Sequence, residues 1–300
     1  MNLFKQVENW KDVLDRLSAI REQEDYTPEN VEYIRESLQS PDEKIRGGAA
    51  LAAEGCLLEP HILDLLIHLA ENDSSNAIRK AALQSLGGII YEGVMQDFES
   101  STGPDTALDE SEEWDEIQLE SLREDYLRTK NLLFSILQNE EEDLEIREAA
   151  LMSLSNLGFL EEVREWISDF IHMPEESARL VALHAMGKFP LYWIQTLSKF
   201  LEPGQPKPLL LEAISSSYAS DSELLARKIE QLLSSDDPDI LSYALLTLAN
   251  LNKTENLGEI LQNFSLHQDE RVRKAAREGI EHFTRLNFER YIKDEFGFQE

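Results

Sequence analysis

Glu141–Gly158 reads EEDLEIREAALMSLSNLG, and the pattern in this stretch returns along the whole chain. An acidic turn leads to a β-branched residue, then Arg, then small residues, then leucines at helical spacing. The same frame opens as KIRGGAALAAEG at Lys44, AIRKAALQSLGG at Ala77, ARLVALHAMG at Ala178 and RVRKAAREGI at Arg271. Degraded copies begin at Pro208 (PLLLEAISSS) and Asp239 (DILSYALLTLAN). Anchored on Ile45, Ile78, Ile146, Ala178, Leu209, Ile240 and Val272, the copies stand about 31–33 residues apart, except that the second step is about twice as long. A period in that range marks supersecondary units that each bury their apolar face on the next.

Between the copies lie second amphipathic segments. They run over His61–Glu71, Leu160–His172, Leu191–Leu201, Ser222–Leu233 and Asn256–Phe264. The last has Leu257, Ile260, Leu261 and Phe264 on one stripe, with Thr254 as its expected N-cap. Thr27 and Pro28 open the first pair, where Val31, Ile34 and Leu38 form the stripe. Asp236, Asp239 and Asp269 put negative charge at the start of second helices, where the helix dipole favours it. Residues 1–26 read as a capping helix built on Leu3, Val7, Trp10, Leu14 and Leu17. No alternating strand pattern or hairpin turn is present. The expectation is an all-α fold: a right-handed α-solenoid of about seven helix pairs with helical caps. The array covers 27–285, and 286–300 form a cap or tail.

The long step holds an insertion, Gln96–Glu116, with nine acidic residues, no Lys or Arg, and Gly103-Pro104 in its middle. Like charges and little apolar area predict a mobile loop, not a second domain. Arg271, Arg273, Lys274, Arg277, Arg285, Arg290 and Lys293 make the other end locally basic, with Phe283, Phe288, Tyr291, Phe296 and Phe298 among them. That end reads as a capping helix or as a docking segment that supports self-association.

A formal charge of −31 argues against nucleic acid and anionic membranes as partners, because both are bound by Lys and Arg. The N-terminus lacks the apolar core of a signal peptide and no apolar run reaches membrane-spanning length, so the expected location is cytoplasmic. Cys56 is the sole cysteine, which excludes an intrachain disulfide and a Cys-based zinc cluster; its surroundings predict a buried, inert thiol. HExxH, the P-loop, GxGxxG and GxSxG are absent. Asp105, Asp109 and Glu110 lack the ligand rhythm of an EF-hand. The chain reads as non-enzymatic, with no catalytic residue, metal or cofactor.

The D/E-x-x-[IV]-R-x-A-A-L-x-x-L-G frame resembles the HEAT-repeat superfamily, and most of all the short HEAT-like repeats of the phycobilin-lyase type. The resemblance covers 27–285 and implies a structural ladder in which Arg46, Arg79, Arg147, Arg179 and Arg273 bond turn carboxylates between stacked repeats, with Asp42, Asp143 and Asp269 as partners. Two units depart from it, with Leu210 and Leu241 in the arginine's place. The paired His-Glu dipeptides of the family's hydroxylases and the basic face of its DNA-excision enzymes are both missing.

The resemblance also places residues two and six after each anchor on the concave side. These are polar in the second and seventh units (Lys80, Gln84, Lys274, Glu278) and become partly apolar between them. Met152, Leu180, His184, Leu211, Ser215, Ser242 and Leu246 form the candidate groove for an amphipathic helix or apolar peptide with basic regions. Two readings of the leucines stand open, groove or inter-repeat core. The function implied is a protein-interaction scaffold or adaptor; the alternative is a lyase-like or chaperone-like subunit assisting tetrapyrrole attachment to a protein.

Overall fold

The structure, a computed structural model, describes residues 9–59, 61–99 and 116–296. Fifteen α-helices and no strand occur among the described residues. The chain divides into two compact units, Met1–Trp166 and Ile167–Glu300. The first holds α1 (Trp10–Gln23), α2 (Pro28–Leu38), α3 (Glu43–Ala52), α4 (Ile62–Asn72), α5 (Asn76–Met95), α6 (Glu116–Gln138) and α7 (Leu144–Leu154). The division falls inside α8 (Glu161–Ile171). The second holds α9 (Glu176–Lys188), α10 (Ile194–Phe200), α11 (Lys207–Ser216), α12 (Glu223–Gln231), α13 (Pro238–Leu251), α14 (Leu257–Phe264) and α15 (Glu270–Phe296).

In the N-terminal unit α1 packs on α3, α3 on α5 and α5 on α7, while α2, α4 and α6 lie beside them. Val13, Leu17 and Ile20 of α1 are buried at the spacing of Ile45, Ala49 and Ala52 of α3, about one period earlier. The capping helix therefore stacks in register with the second helices; Leu3 and Val7 lie outside the described residues. The acidic insertion lies outside them too, except at its ends. At its start Phe98 meets Tyr126 of α6 edge-on at 5.6 Å, and Glu99 accepts from the Tyr126 hydroxyl and from Lys130 Nζ at 2.6 Å. Burial pushes the Glu99 carboxyl up, but the bonds from Lys130 and Tyr126 outweigh it and hold it below its ordinary range. The same burial, with Glu99 adjacent, raises the Tyr126 phenol.

In the C-terminal unit α9 packs on α11, α11 on α13 and α13 on α15. Asp237 caps α13, accepting from the backbone N–H of Asp239 at 2.9 Å. Thr254 does not cap α14. Asn256 holds that place at φ 56°, and Thr254 lies two residues upstream of the cap with its hydroxyl buried and without a hydrogen-bond partner among the described residues. Thr27 stands at the N-cap of α2, before Pro28, but makes no side-chain capping bond.

Two ladders tie successive second helices together. Ser85 Oγ on α5 donates to the Ala50 carbonyl of α3 at 2.7 Å, and Ser153 Oγ on α7 to the Leu83 carbonyl of α5 at 2.7 Å. In the C-terminal unit Ser216 Oγ reaches the Leu183 carbonyl at 2.7 Å and Thr247 Oγ1 the Ile214 carbonyl at 3.4 Å. Each hydroxyl stands seven residues after its anchor and each acceptor five after the preceding one. The second ladder uses arginine. Arg46 holds Asp73 through Nε at 2.7 Å and a terminal nitrogen at 3.2 Å, while its other terminal nitrogen bonds the Ser40 and Pro41 carbonyls. Arg79 holds Glu142 at 2.6 and 2.9 Å.

The partners are thus Asp73 and Glu142, in the turn of the following pair, instead of Asp42, Asp143 and Asp269. Those three aspartates serve other donors. Asp42 accepts from Lys44 N–H at 2.9 Å, Asp143 from Asn76 Nδ2 at 2.7 Å, and Asp269 from Arg271 N–H at 2.9 Å. In both rungs the arginine takes an acid one or two residues upstream of the next N-cap, Asp73 before Ser75 and Glu142 before Asp143.

Candidate functional site

The second helices α9, α11 and α13 present one face on which the sequence-predicted groove residues of the C-terminal unit lie side by side. Leu180 and His184 sit on α9, Leu211 and Ser215 on α11, Ser242 and Leu246 on α13. Leu180, Leu211, Ser242 and Leu246 are half-buried; His184 and Ser215 are exposed. Helical periodicity explains this split. The anchors and the residues four and five after them face the core, which leaves positions two and six at the margin. Met152, on α7 of the N-terminal unit, is half-buried at the equivalent position. The leucines that replace ladder arginines are core: Leu210 is 6% and Leu241 3% exposed.

Neighbouring helices are joined across the face. His184 Nδ1 lies 3.1 Å from Glu212 Oε1, linking α9 to α11, while Ser242 Oγ donates back to the Pro238 carbonyl at 2.7 Å. Tyr243, beside Ser242, is 45% exposed and adds an aromatic ring next to Leu246. Neither Tyr243 nor Glu212 was selected from the sequence. Both stand three residues after their anchors, next to the position chosen, and that adjacency on a helix surface was the available signal. At the entry to the face Lys207 Nζ bridges Asp237 and Asp239 at 2.7 Å each, and Arg271 pairs with Asp239 from α15. The bond from Lys207 lowers the Asp237 carboxyl and raises the Lys207 ammonium.

No cluster of three or more His, Cys, Asp or Glu is placed to hold a metal among the described residues. Burial pushes the Cys56 thiol up to about 12, with the Glu59 charge adding to it, so it stays protonated and unreactive at neutral pH. No helix among the described residues is long and apolar enough to cross a membrane. Asp105, Asp109 and Glu110 lie outside the described residues.

No protein-family model matches the chain, and no curated protein matches it. Solved structures do. Yeast importin-beta matches at 14% identity and a TM-score of 0.53, over 91% of this chain and 38% of its own length. The likeness is one of fold, an all-α repeat of helix pairs. The pairs α2/α3, α4/α5 and α6/α7 of the N-terminal unit, and α10/α11, α12/α13 and α14/α15 of the C-terminal unit, repeat the helix–turn–helix order read from the sequence. YibA of E. coli matches at 12% identity, 93% coverage of both chains and a TM-score of 0.47. The CpcE–CpcF complex of phycocyanin lyase from Nostoc sp. matches at 17% identity, 84% of this chain and 94% of that one, with a TM-score of 0.39.

Proposed function

We propose that the protein is a non-enzymatic interaction scaffold that holds an amphipathic helix or apolar segment of a partner protein on the face of α9, α11 and α13. The observation that supports this most is the row of half-buried Leu180, Leu211 and Leu246 beside exposed Tyr243, on helices fixed to one another by backbone-directed hydroxyls. Apolar side chains left at a margin gain from a covering apolar stripe, and fixed helices lose little freedom on binding. Met152 is the candidate contact at the same register of the N-terminal unit. The charge of −31 favours a partner with basic regions and disfavours nucleic acid and membrane surfaces. With no spanning helix among the described residues and one buried thiol, a cytoplasmic setting fits.

The test is Leu211→Asp together with Leu246→Asp. Thermal unfolding close to wild type, with loss of the proteins captured from native lysate, supports the groove. A large fall in melting temperature assigns the leucines to the core, and unchanged capture removes the face as the binding surface. A bilin-dependent absorbance change on the wild-type protein would favour the tetrapyrrole-attachment alternative instead.

A further inference from the structure

Glu212 of α11 carries a carboxylate with one oxygen left over. Oε1 meets His184 Nδ1 at 3.1 Å, while Oε2 takes no hydrogen bond among the described residues and stays open to solvent. The side chain is 28% exposed, partly covered and still reachable. Other carboxylates that join neighbouring second helices meet full cations: Glu145 has Lys80 at 3.1 Å, and Asp239 has Arg271. Glu212 meets no Lys or Arg among the described residues. It is also the only acid among the residues two, three and six places after the anchors of α9, α11 and α13, and no Lys or Arg stands at those places. Leu211 precedes it, and Leu180 and Leu246 stand on the helices to either side, all half-buried.

The next helix brings an aromatic ring to the same height. Ser216 bonds the Leu183 carbonyl and Thr247 the Ile214 carbonyl, so equal places on α9, α11 and α13 stand side by side. Tyr243 comes three places after its anchor, as Glu212 does after its own, and is 45% exposed. Axes of packed helices are about 8–10 Å apart. A cation between two such helices can lie about 2.8 Å from a carboxylate oxygen and within about 6 Å of a ring centre. A carboxylate drawn partly out of water attracts a cation more strongly once a partner excludes the remaining water.

We propose that Glu212 and Tyr243 form the cation subsite of the binding face: a Lys or Arg of the bound helix lies between them, and its apolar neighbours cover Leu180, Leu211 and Leu246. Charge selects this occupant, because the face offers an anion and a ring without a cation of its own, on a chain of net charge −31. A partner helix laid across the second helices advances about 10.5 Å in seven residues, close to one helix-to-helix step. Its cation therefore falls between two apolar residues seven apart. This inference rests on the scaffold reading.

The test is a display library of short helical peptides, with Leu fixed at two positions seven apart and the residues between them randomised, selected on the full-length protein. Sequences that bind wild type but not Leu211→Asp with Leu246→Asp report the face, and these should carry Lys or Arg at one fixed place between the leucines. For such a peptide, made synthetically, Glu212→Gln should weaken binding about tenfold with an unchanged melting temperature, the scale of one charge-assisted bond. Tyr243→Leu, which keeps apolar area but removes the ring, should weaken it about threefold. Glu212→Arg should restore binding to the same peptide with its cation replaced by Glu, a rescue that a purely structural Glu212 would not give. Face-binding peptides without a fixed cation, equal affinity for Glu212→Gln, or no rescue by charge exchange overturn the cation subsite and leave the scaffold reading standing. Equal affinity for Tyr243→Leu overturns the part given to the ring. A library from which no face-binding peptide emerges overturns both the subsite and the scaffold reading.

Discussion

Ser216 Oγ donates to the Leu183 carbonyl at 2.7 Å, and the two backbones are so close there that a Cβ on Gly187 would sit 3.0 Å from Ser216 Cα. Gly87 and Ser153 repeat the relationship in the N-terminal unit, at 3.4 Å. A small residue nine places after one anchor thus admits the hydroxyl seven places after the next. Helices held this closely keep the residues between them, such as His184 and Glu212, in a fixed register.

Gly187→Ala tests this closeness, because two effects oppose each other. Alanine in a helix gains about 1 kcal/mol over glycine, whereas overpacking against backbone that cannot rotate away costs about 1–3 kcal/mol. The expected net result in urea unfolding is a loss. Ser216→Ala should cost about 1 kcal/mol, since Leu183 keeps its bond along α9. A stabilised Gly187→Ala would show that α9 and α11 stand further apart.

The helix pairs were legible because period and anchors agree in most copies, and because helical burial at this spacing has one solution. The ladder partners were not. Asp42, Asp143 and Asp269 look right in sequence, but a carboxylate at a helix start is claimed by nearby N–H groups, as Asp42 is by Lys44 N–H. The hydroxyl ladder was written plainly as Ser85, Ser153, Ser216 and Thr247, seven residues after their anchors. It is hard to weigh beforehand because a serine in a helix also bonds its own turn, as Ser153 does to Ala149 at 3.0 Å. At the candidate face, the resemblance put Leu180, Leu211 and Leu246 on the concave side, with groove and core both open, but did not register Tyr243, whose exposure depends on how the helices pack.

The N-terminal arginine pairs predict an acid limb in stability. The Arg79 bond, against opposing burial, holds the Glu142 carboxyl below its ordinary range. Burial alone would raise Asp73, but the bonds from Arg46 and the Ser75 N–H outweigh it, and this carboxyl too is lowered. A lowered folded-state pKa gives stability that is present above the unfolded value of about 4 and lost as pH falls through the folded one. Glu142→Gln should therefore cost about 1.5–3 kcal/mol near neutrality, with the difference from wild type shrinking as pH falls below about 4. Urea midpoints at the two pH values check it; a cost that persists unchanged in acid would mean the pair contributes packing and not charge.

The contacts at Phe98 and Glu99 bear on the acidic insertion. They attach the end of α5 to α6 before the long run of acids begins. Replacing residues 101–114 with a short Gly/Ser linker should leave a single cooperative thermal transition. Tyr126→Phe should cost about 1.5–3 kcal/mol, because the half-buried Glu99 carboxylate loses one of its donors. A linker variant without a cooperative transition would show that the insertion is structural.

The exposed face of α15 predicts a barrier to stacking by a further helix. Five residues after the anchor the other second helices carry Ala50, Leu83, Leu151, Leu183, Ile214 and Leu245, all buried. In α15 that place is Arg277, and the place four further is Glu281; both are exposed. Charge there leaves that face of α15 without the apolar area that stacking needs. Arg277→Leu with Glu281→Ala restores the interior pattern on a surface that nothing covers among the described residues. The variant should gain a concentration-dependent mass in sedimentation at moderate salt while wild type does not change in parallel. An equal mass for both across the concentration range would mean that Arg277 and Glu281 are not what terminates stacking at α15.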